Sequence, residues 1–324
     1  MKRALIVGID DYPNAPLQCC VNDAKAMASV LRRNEDKSQN FDVMQKTTLS
    51  RRETLCKAIH DCFDTEVDVA LFYYSGHGYV DSAGGHLVTP DCNQYDAGIS
   101  MNDILAIVNQ SPCKNKIIIL DCCHSGCFGT GNSGGQSTAT INEGVTIFTA
   151  CRSSESALES TAQRHGIFTE LLLEGLKGKA ADIEGNITAA GLYAYIDKSL
   201  GSWGQRPVFK TNVSSFLPLR KVHPQVDVDI LLRLPELFPS EDDKYQLAPS
   251  YEYTNDPSVE HVYVEPYASE EHVAIFKDLQ VLESVGMIRP VGEKHMYFAA
   301  MNSKCCELTP LGKQYWELAK KEKI

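Results

Sequence analysis

A chain of 324 residues can hold one large domain, or one domain with a smaller appendage. With 43% hydrophobic and 23% charged residues its balance is that of a folded globular protein, which excludes a disordered chain. A net charge of −11 argues against a general nucleic-acid or anionic-membrane surface, since phosphate binding needs clustered Lys and Arg.

No run of ~18 uninterrupted apolar residues is present, so no membrane-spanning helix is predicted. The opening Met1–Gly8 has too short an apolar run for a signal sequence, which needs ~7–15 such residues. It reads as a buried first strand, and a cytoplasmic location is expected. To about residue 220 the pattern alternates strand and helix, as in an α/β domain with a mainly parallel sheet. Strands are predicted at 4–9, 41–45, 67–74, 116–120, 145–150 and 206–210. Helices are predicted at 23–33, 53–63, 101–109, 168–177 and 189–200. The runs Val67–Tyr74 and Ile117–Leu120 are almost continuously apolar, which suits strands buried on both faces. Gly84-Gly85 within Tyr79–Asp91 predicts a hairpin. Between Cys127 and Gly144, Gly, Ser, Thr, Asn and Gln predominate, which predicts a flexible loop; no Gly-Lys-Ser/Thr follows, so it is not a phosphate cradle.

After about residue 220 the pattern changes. Residues 221–268, with several prolines and the acidic Glu241-Asp242-Asp243, read as a linker or irregular cover. Ser269–Val285 reads as a helix, followed by a strand pair near Met287–Pro290 and His295–Ala299 and a final helix from about Thr309. This succession resembles a winged-helix module over 269–324. Its acidic and basic residues are roughly balanced, so a regulatory or partner-binding role is expected rather than DNA binding. The twelve cysteines include the adjacent pairs Cys19-Cys20, Cys122-Cys123 and Cys305-Cys306, with no CxxC of zinc-like spacing, and read mostly as reduced buried thiols.

Two segments carry reactive side chains just past buried strands: Tyr74-Ser75-Gly76-His77-Gly78 and Asp121-Cys122-Cys123-His124-Ser125-Gly126. In an open parallel sheet both would reach the crevice at the carboxyl ends of the strands. An imidazole there can take a thiol proton, let the thiolate attack a peptide carbonyl, and then protonate the leaving amine. The oxyanion would rest on the backbone N–H groups of Gly78 and Cys123. Such a thiol–imidazole pair can serve a cysteine endopeptidase, without a clear demand for a third group.

The two segments together resemble the paired signatures of the caspase-like cysteine peptidases (clan CD, family C14), in particular the metacaspase-like bacterial branch. His77 and Cys123 stand 46 positions apart, close to the ~50 of caspase-type enzymes. Gly8-Ile9-Asp10-Asp11-Tyr12, Cys20-Val21-Asn22-Asp23-Ala24, Phe148–Cys151 and His165-Gly166-Ile167-Phe168-Thr169 agree with the same pattern, over about residues 1–215. The resemblance implies a caspase-like α-β-α sandwich (1–220) with a mainly parallel sheet, followed by the small α+β module. It selects Cys123 over Cys122, a buried bystander, and His77 over His124.

In that branch the pocket for the residue before the scissile bond is acidic, and the matching positions here are Cys20, Asp23, Ser75 and Asp121. Carboxylates there favour Arg, with Lys second, because a guanidinium satisfies a buried carboxylate bidentately. Asp23 and Asn22 remain open as helix caps and Asp121 as a brace of the turn. Between Cys123 and Arg152 there is no Lys or Arg, so self-cleavage of that loop is not expected. Asp81, Asp91 and Asp96 do not form the dense carboxylate set that calcium needs, so no metal or other cofactor is expected. The partners expected are a protein or peptide substrate and an upstream regulator reaching the C-terminal module, with neither nucleic acid nor membrane. The resemblance implies a role in bacterial signalling, cell death or antiviral defence. A scaffold with vestigial activity, or a protease fused to a DNA-binding regulator, are the alternatives.

Overall fold

The computed structural model describes residues 1–81, 84–93, 96–122, 131–133, 136–138, 141–150, 165–200, 207–256, 258 and 263–324, with the backbone only at 131–133 and 136–138. The chain divides into two compact units, Met1–His223 and Pro224–Ile324.

In the first unit the elements run β1 (Lys2–Gly8), α1 (Cys20–Arg32), β2 (Phe41–Lys46), α2 (Arg52–Phe63), β3 (Val69–Ser75), β4 (Gly78–Asp81), β5 (Gly84–Leu87), β6 (Ile99–Ser100), α3 (Met101–Gln110) and β7 (Asn115–Asp121). They continue with β8 (Gly131–Ser133), β9 (Gln136–Thr138), β10 (Val145–Thr149), α4 (Ile167–Glu174), β11 (Asn186–Ile187), α5 (Ala189–Leu200), β12 (Val208–Asn212) and β13 (Arg220–Lys221). A π-helical turn, Gly175–Lys179, extends α4. The central sheet has the order β12-β10-β7-β3-β1-β2 and is parallel except for β12.

Strand periodicity sorts the apolar side chains onto two faces. Leu5, Val7, Phe72, Tyr74, Ile118 and Leu120 pack with Leu55 and Ile59 of α2 and Ile104 of α3. Ala4, Ile6, Leu71, Tyr73, Ile117 and Ile119 pack with Met27 and Leu31 of α1, Phe168 of α4 and Leu192 of α5. Helices therefore cover both faces, which is the α-β-α sandwich. Full burial of each such large aliphatic or aromatic side chain contributes about 1.5–3 kcal/mol.

The hairpin predicted at Gly84-Gly85 is β4–β5, joined by β6 into a small antiparallel sheet. Within the segment predicted as a flexible loop, β8 and β9 pair as a two-stranded ribbon.

The second unit holds α6 (Val228–Leu232), α7 (Leu234–Leu237), β14 (Lys244–Gln246), a 3₁₀ turn (Pro249–Tyr251), α8 (Glu270–Ser284), β15 (Ile288–Val291), α9 (Met296–Met301), β16 (Cys305–Leu308) and α10 (Pro310–Lys320). Its three-stranded sheet, β14-β16-β15, is antiparallel. Much of the segment read as a linker is folded into this unit: Leu231, Leu234, Leu237, Phe238 and Leu247 are buried, and β14 joins the sheet. Two prolines of this segment, Pro235 and Pro249, open helical turns, where their missing N–H costs nothing. His295–Ala299, read as a strand, is instead the start of α9. Met296, Ala299 and Ala300 are its buried residues, at helical spacing, and the second strand of the pair is β16. Among the described residues no helix is long and apolar enough to cross a membrane.

Candidate active site

Parallel register brings the ends of three strands level. Gly8 of β1 pairs with Ser75 of β3, and Ser75 pairs with Asp121 of β7. The chain continues in step, with Ile9 N–H donating to Ser75 O (3.1 Å) and Gly76 N–H to Asp121 O (3.3 Å). Between β1 and β3 the order of connections reverses, which is where open α/β sheets leave a crevice. His77 leaves β3 here, and Asp121 and Cys122 lead from β7. Cys123, with its backbone N–H, and His124 lie outside the described residues. Cys122 is 1% exposed, too enclosed for its thiol to meet a substrate.

His77 is held on several sides. Its Nε2 lies 2.6 Å from the Ala15 carbonyl oxygen, its ring centroid 4.5 Å from that of Tyr12, and its backbone N–H donates to the Tyr12 hydroxyl at 3.1 Å. A carbonyl only accepts, so Nε2 carries the hydrogen and Nδ1 presents the lone pair that a general base needs. The hydroxyls of Tyr12 and Tyr74 lie 3.1 Å apart beneath the turn, and that of Tyr74 reaches the His77 carbonyl at 3.0 Å. A Cβ on Gly76 would stand 2.6 Å from one hydroxyl and 2.7 Å from the other, so only glycine lets the turn close over the tyrosine pair. Gly78 opens β4 opposite Leu87.

The four other predicted positions gather around the same strand ends. Asp23, 1% exposed in the first turn of α1, meets Ser75 Oγ at 3.3 Å through Oδ2 and His165 Nδ1 at 2.7 Å through Oδ1. Gly166 N–H also donates to Oδ2, at 3.3 Å. Asp121, 8% exposed, accepts from Thr169 Oγ1 at 2.7 Å, and Tyr73 Oη lies 2.5 Å from that same oxygen of Thr169. Burial, with Asp121 nearby adding like charge, pushes the Asp23 carboxyl up to about 8. The Cys20 thiol is pushed well above its ordinary range, by burial first and then by Asp10, Asp121 and Asp23. Burial thus favours its neutral thiol form over the thiolate that a nucleophile needs.

Neither Asp23 nor Asn22 caps α1. That role falls to Asp10, whose carboxylate oxygens accept from Cys20 N–H (2.9 Å) and Val21 N–H (3.2 Å) and set a negative charge at the helix N-terminus. Asp10, Tyr12 and the Ala15 carbonyl are groups around these positions that the sequence reading did not single out. The Gly8-x-Asp10-x-Tyr12 pattern carried the signal for the first two, whereas a backbone carbonyl leaves none.

The carboxylates near the hairpin are engaged elsewhere. Asp91 accepts from Arg52 N–H and Thr89 Oγ1, Asp96 lies 3.5 Å from the Arg52 guanidinium, and Asp81 lies 3.2 Å from His86 Nε2. Among the described residues no three His, Cys, Asp or Glu side chains are grouped to hold a metal ion.

A family model described as the caspase domain of the C14 peptidases matches residues 1–203. Among solved structures, the chain is similar to caspase-1 from Spodoptera frugiperda, with 15% identity and a TM-score of 0.52 over 68% of this chain and 92% of that one, a likeness of fold. No curated protein sequence matches the chain significantly.

Proposed function

The chain belongs to the caspase-domain family of cysteine peptidases, and on that premise we propose that it is an endopeptidase cleaving proteins after Arg, with Lys second. The single observation behind this reading is the juxtaposition of Asp23 and Asp121, two buried carboxylates at the strand ends from which His77 projects. A cleft that takes an acidic residue would need a cation in its wall, whereas this one has Asp10, Asp23 and Asp121 around Cys20. An incoming guanidinium offers paired N–H donors to such oxygens.

In the mechanism, Cys123 supplies the thiolate and His77 the base. The Ala15 carbonyl supports the tautomer in which Nδ1 of His77 accepts the thiol proton. The thiolate adds to the carbonyl after the basic residue, and the oxyanion rests on the N–H groups of Gly78 and Cys123. The imidazolium then gives its proton to the departing amine, and water releases the acyl group from sulfur.

The second unit is proposed as a regulatory or partner-binding module. Helix α8 carries Glu270, Glu271, Asp278 and Glu283 against the single Lys277, a charge balance that suits a protein partner better than a phosphate backbone. A role in signalling, cell death or defence is the corresponding proposal for the whole chain.

A fluorogenic peptide series tests the specificity: turnover after Arg is expected to exceed that after Lys, and a preference for Asp would overturn the reading. Loss of turnover in Cys123→Ala, with retention in Cys122→Ala, separates a peptidase from a scaffold. Intact mass should show no self-made cut within residues 127–144.

A further inference from the structure

The acidic pocket already contains a basic side chain of this same chain. His165, just ahead of α4, puts Nδ1 2.7 Å from Oδ1 of Asp23, and its side chain is three-quarters buried. Asn22 Nδ2 lies 3.4 Å from both ring nitrogens. The other oxygen of Asp23 faces Ser75 Oγ and Gly166 N–H. Oδ1 is thus the oxygen that a second cation would compete for.

We propose that His165 is the resident occupant of the specificity pocket: its imidazole holds Asp23 in the free enzyme, the substrate's basic side chain takes that oxygen on binding, and His165 thereby sets how strongly, and how selectively, the pocket takes a cation. This rests on the reading of the pocket as a site for Arg or Lys.

The chemistry of the pair favours exchange over permanent bonding. Asp23 and His165 share one proton and form a neutral unit wherever that proton sits, which suits a carboxyl with 1% exposure. Burial pushes the His165 imidazole down, with Lys177 acting the same way and Glu170 opposing. On the Asp23 side, burial and Asp121 hold the carboxyl toward its protonated form. Among the described residues, the groups facing the pair are Asp10, Cys20 and Asn22 at α1 and the loop before it, Ser75 and Tyr73 on β3, Asp121 on β7, and Thr169, Glu170 and Lys177 on α4 and its extension. Lys177 is the one permanent cation among them. An arriving guanidinium can donate to Oδ1 and, through a second N–H, to the neighbouring Asp121 carboxylate, where the imidazole makes one bond, and the shared proton leaves to solvent. An ammonium recovers less of the broken contact, so the same displacement disfavours Lys.

Steady-state kinetics on matched Arg and Lys peptides test this in the full chain. His165→Ala is expected to lower KM for the Arg peptide about 5- to 50-fold, as loss of one competing hydrogen bond implies, with kcat within about twofold. It should also narrow the Arg/Lys ratio in kcat/KM. His165→Arg, a permanent occupant, is expected to raise KM about tenfold or more at every pH. A KM in His165→Ala that is unchanged or higher, or a fall confined to kcat, overturns the proposal. If His165→Ala does not fold, His165→Gln decides, with a narrowed Arg/Lys ratio expected and an unchanged one overturning. If the wild type cleaves after neither Arg nor Lys, the basic-residue reading has failed and this proposal falls with it. Cleavage after Arg with unaltered KM in the variants overturns the role of His165 alone.

Discussion

The Nε2 of His77 and the carbonyl oxygen of Ala15 lie 2.6 Å apart, joining the end of β3 to the loop between β1 and α1. In the proposed dyad, this contact adds a backbone carbonyl as a third member. A carboxylate in that place would draw the imidazole toward its charged form, whereas a neutral carbonyl fixes the tautomer without adding charge. The loop that supplies the carbonyl is anchored at both ends, by Asp10 on the N-terminus of α1 and by Tyr12 under the His77 turn.

Tyr12→Phe tests that anchorage. The substitution keeps the ring against His77 and removes the hydroxyl that accepts from its N–H, meets Tyr74 Oη and donates to the Val88 carbonyl at 3.2 Å. An unsatisfied backbone donor in a partly buried turn costs about 1–3 kcal/mol. Part of that loss falls on the placement of the imidazole, so kcat is expected to fall about tenfold with KM little changed. Kinetics normalised by titration of active thiols check it; a loss only in the fraction of folded enzyme would assign Tyr12 to stability alone.

Gly166→Ala tests the pocket without touching a charge. Gly166 has φ −61°, where any residue is comfortable, so conformation does not demand a glycine. Space does: a Cβ would stand 2.8 Å from Asp121 Oδ2 and 3.5 Å from Asp23 Oδ2. One methyl group is therefore expected to cut kcat/KM for Arg peptides more than tenfold while far-ultraviolet circular dichroism stays native. Unaltered kinetics would mean that substrates do not approach this pair of carboxylates.

How much of this was legible in the sequence follows from what each residue's signal depends on. The central strands β3 and β7 announced themselves because Val69–Ser75 and Asn115–Asp121 are buried on both faces and so read as unbroken apolar runs. Past Val222 the same reading faltered. Short helices such as Leu234–Leu237 are too brief for a period to show, and Met296–Met301 packs small residues that serve a helix and a strand equally. In the site, the resemblance of three motifs brought Cys20, Asp23, Ser75, His77 and Asp121 to one place, and the level register of β1, β3 and β7 is the physical reason that their strand ends meet. The partner of Asp23 was not legible: His165 is 142 positions away in sequence, and only tertiary packing brings its ring to the carboxyl.

In the second unit, Trp316→Phe probes whether the segment after Pro224 is integral to the fold. The Trp316 indole N–H donates to the Phe238 carbonyl at 2.6 Å in a buried setting, tying α10 to the end of α7. Phenylalanine leaves that carbonyl unpaired and a gap where the larger ring was, at a cost of about 1–3 kcal/mol. Amide hydrogen exchange at Tyr245 and Cys306, which face each other across β14 and β16, is expected to quicken about five- to a hundredfold. No change at either amide would show that α10 and α7 are energetically separate.

The Asp23 carboxyl gives the chain a pH dependence whose sign is fixed by its environment. Its ordinary value of 3.8 is raised to about 8, by burial first and Asp121 second, so the native state holds a proton that the unfolded chain releases. The associated stability is fully present below about pH 4 and is lost as the pH rises through about 8, where the buried group must ionise beside Asp121. Asp23→Asn, which cannot ionise, is therefore expected to raise the melting temperature relative to wild type. The gain should grow between pH 4 and pH 8 and level off above. Under the proposed specificity activity runs the other way, because a guanidinium pairs with an ionised carboxylate: kcat/KM for Arg peptides should climb about tenfold per pH unit at most, toward a plateau near pH 8. Asp23→Asn is expected to lose that slope together with most of its activity on Arg. Melting curves and kinetics across one buffer series check both. A wild-type kcat/KM that is flat between pH 6 and 8 would show that Asp23 does not hold the substrate's charge.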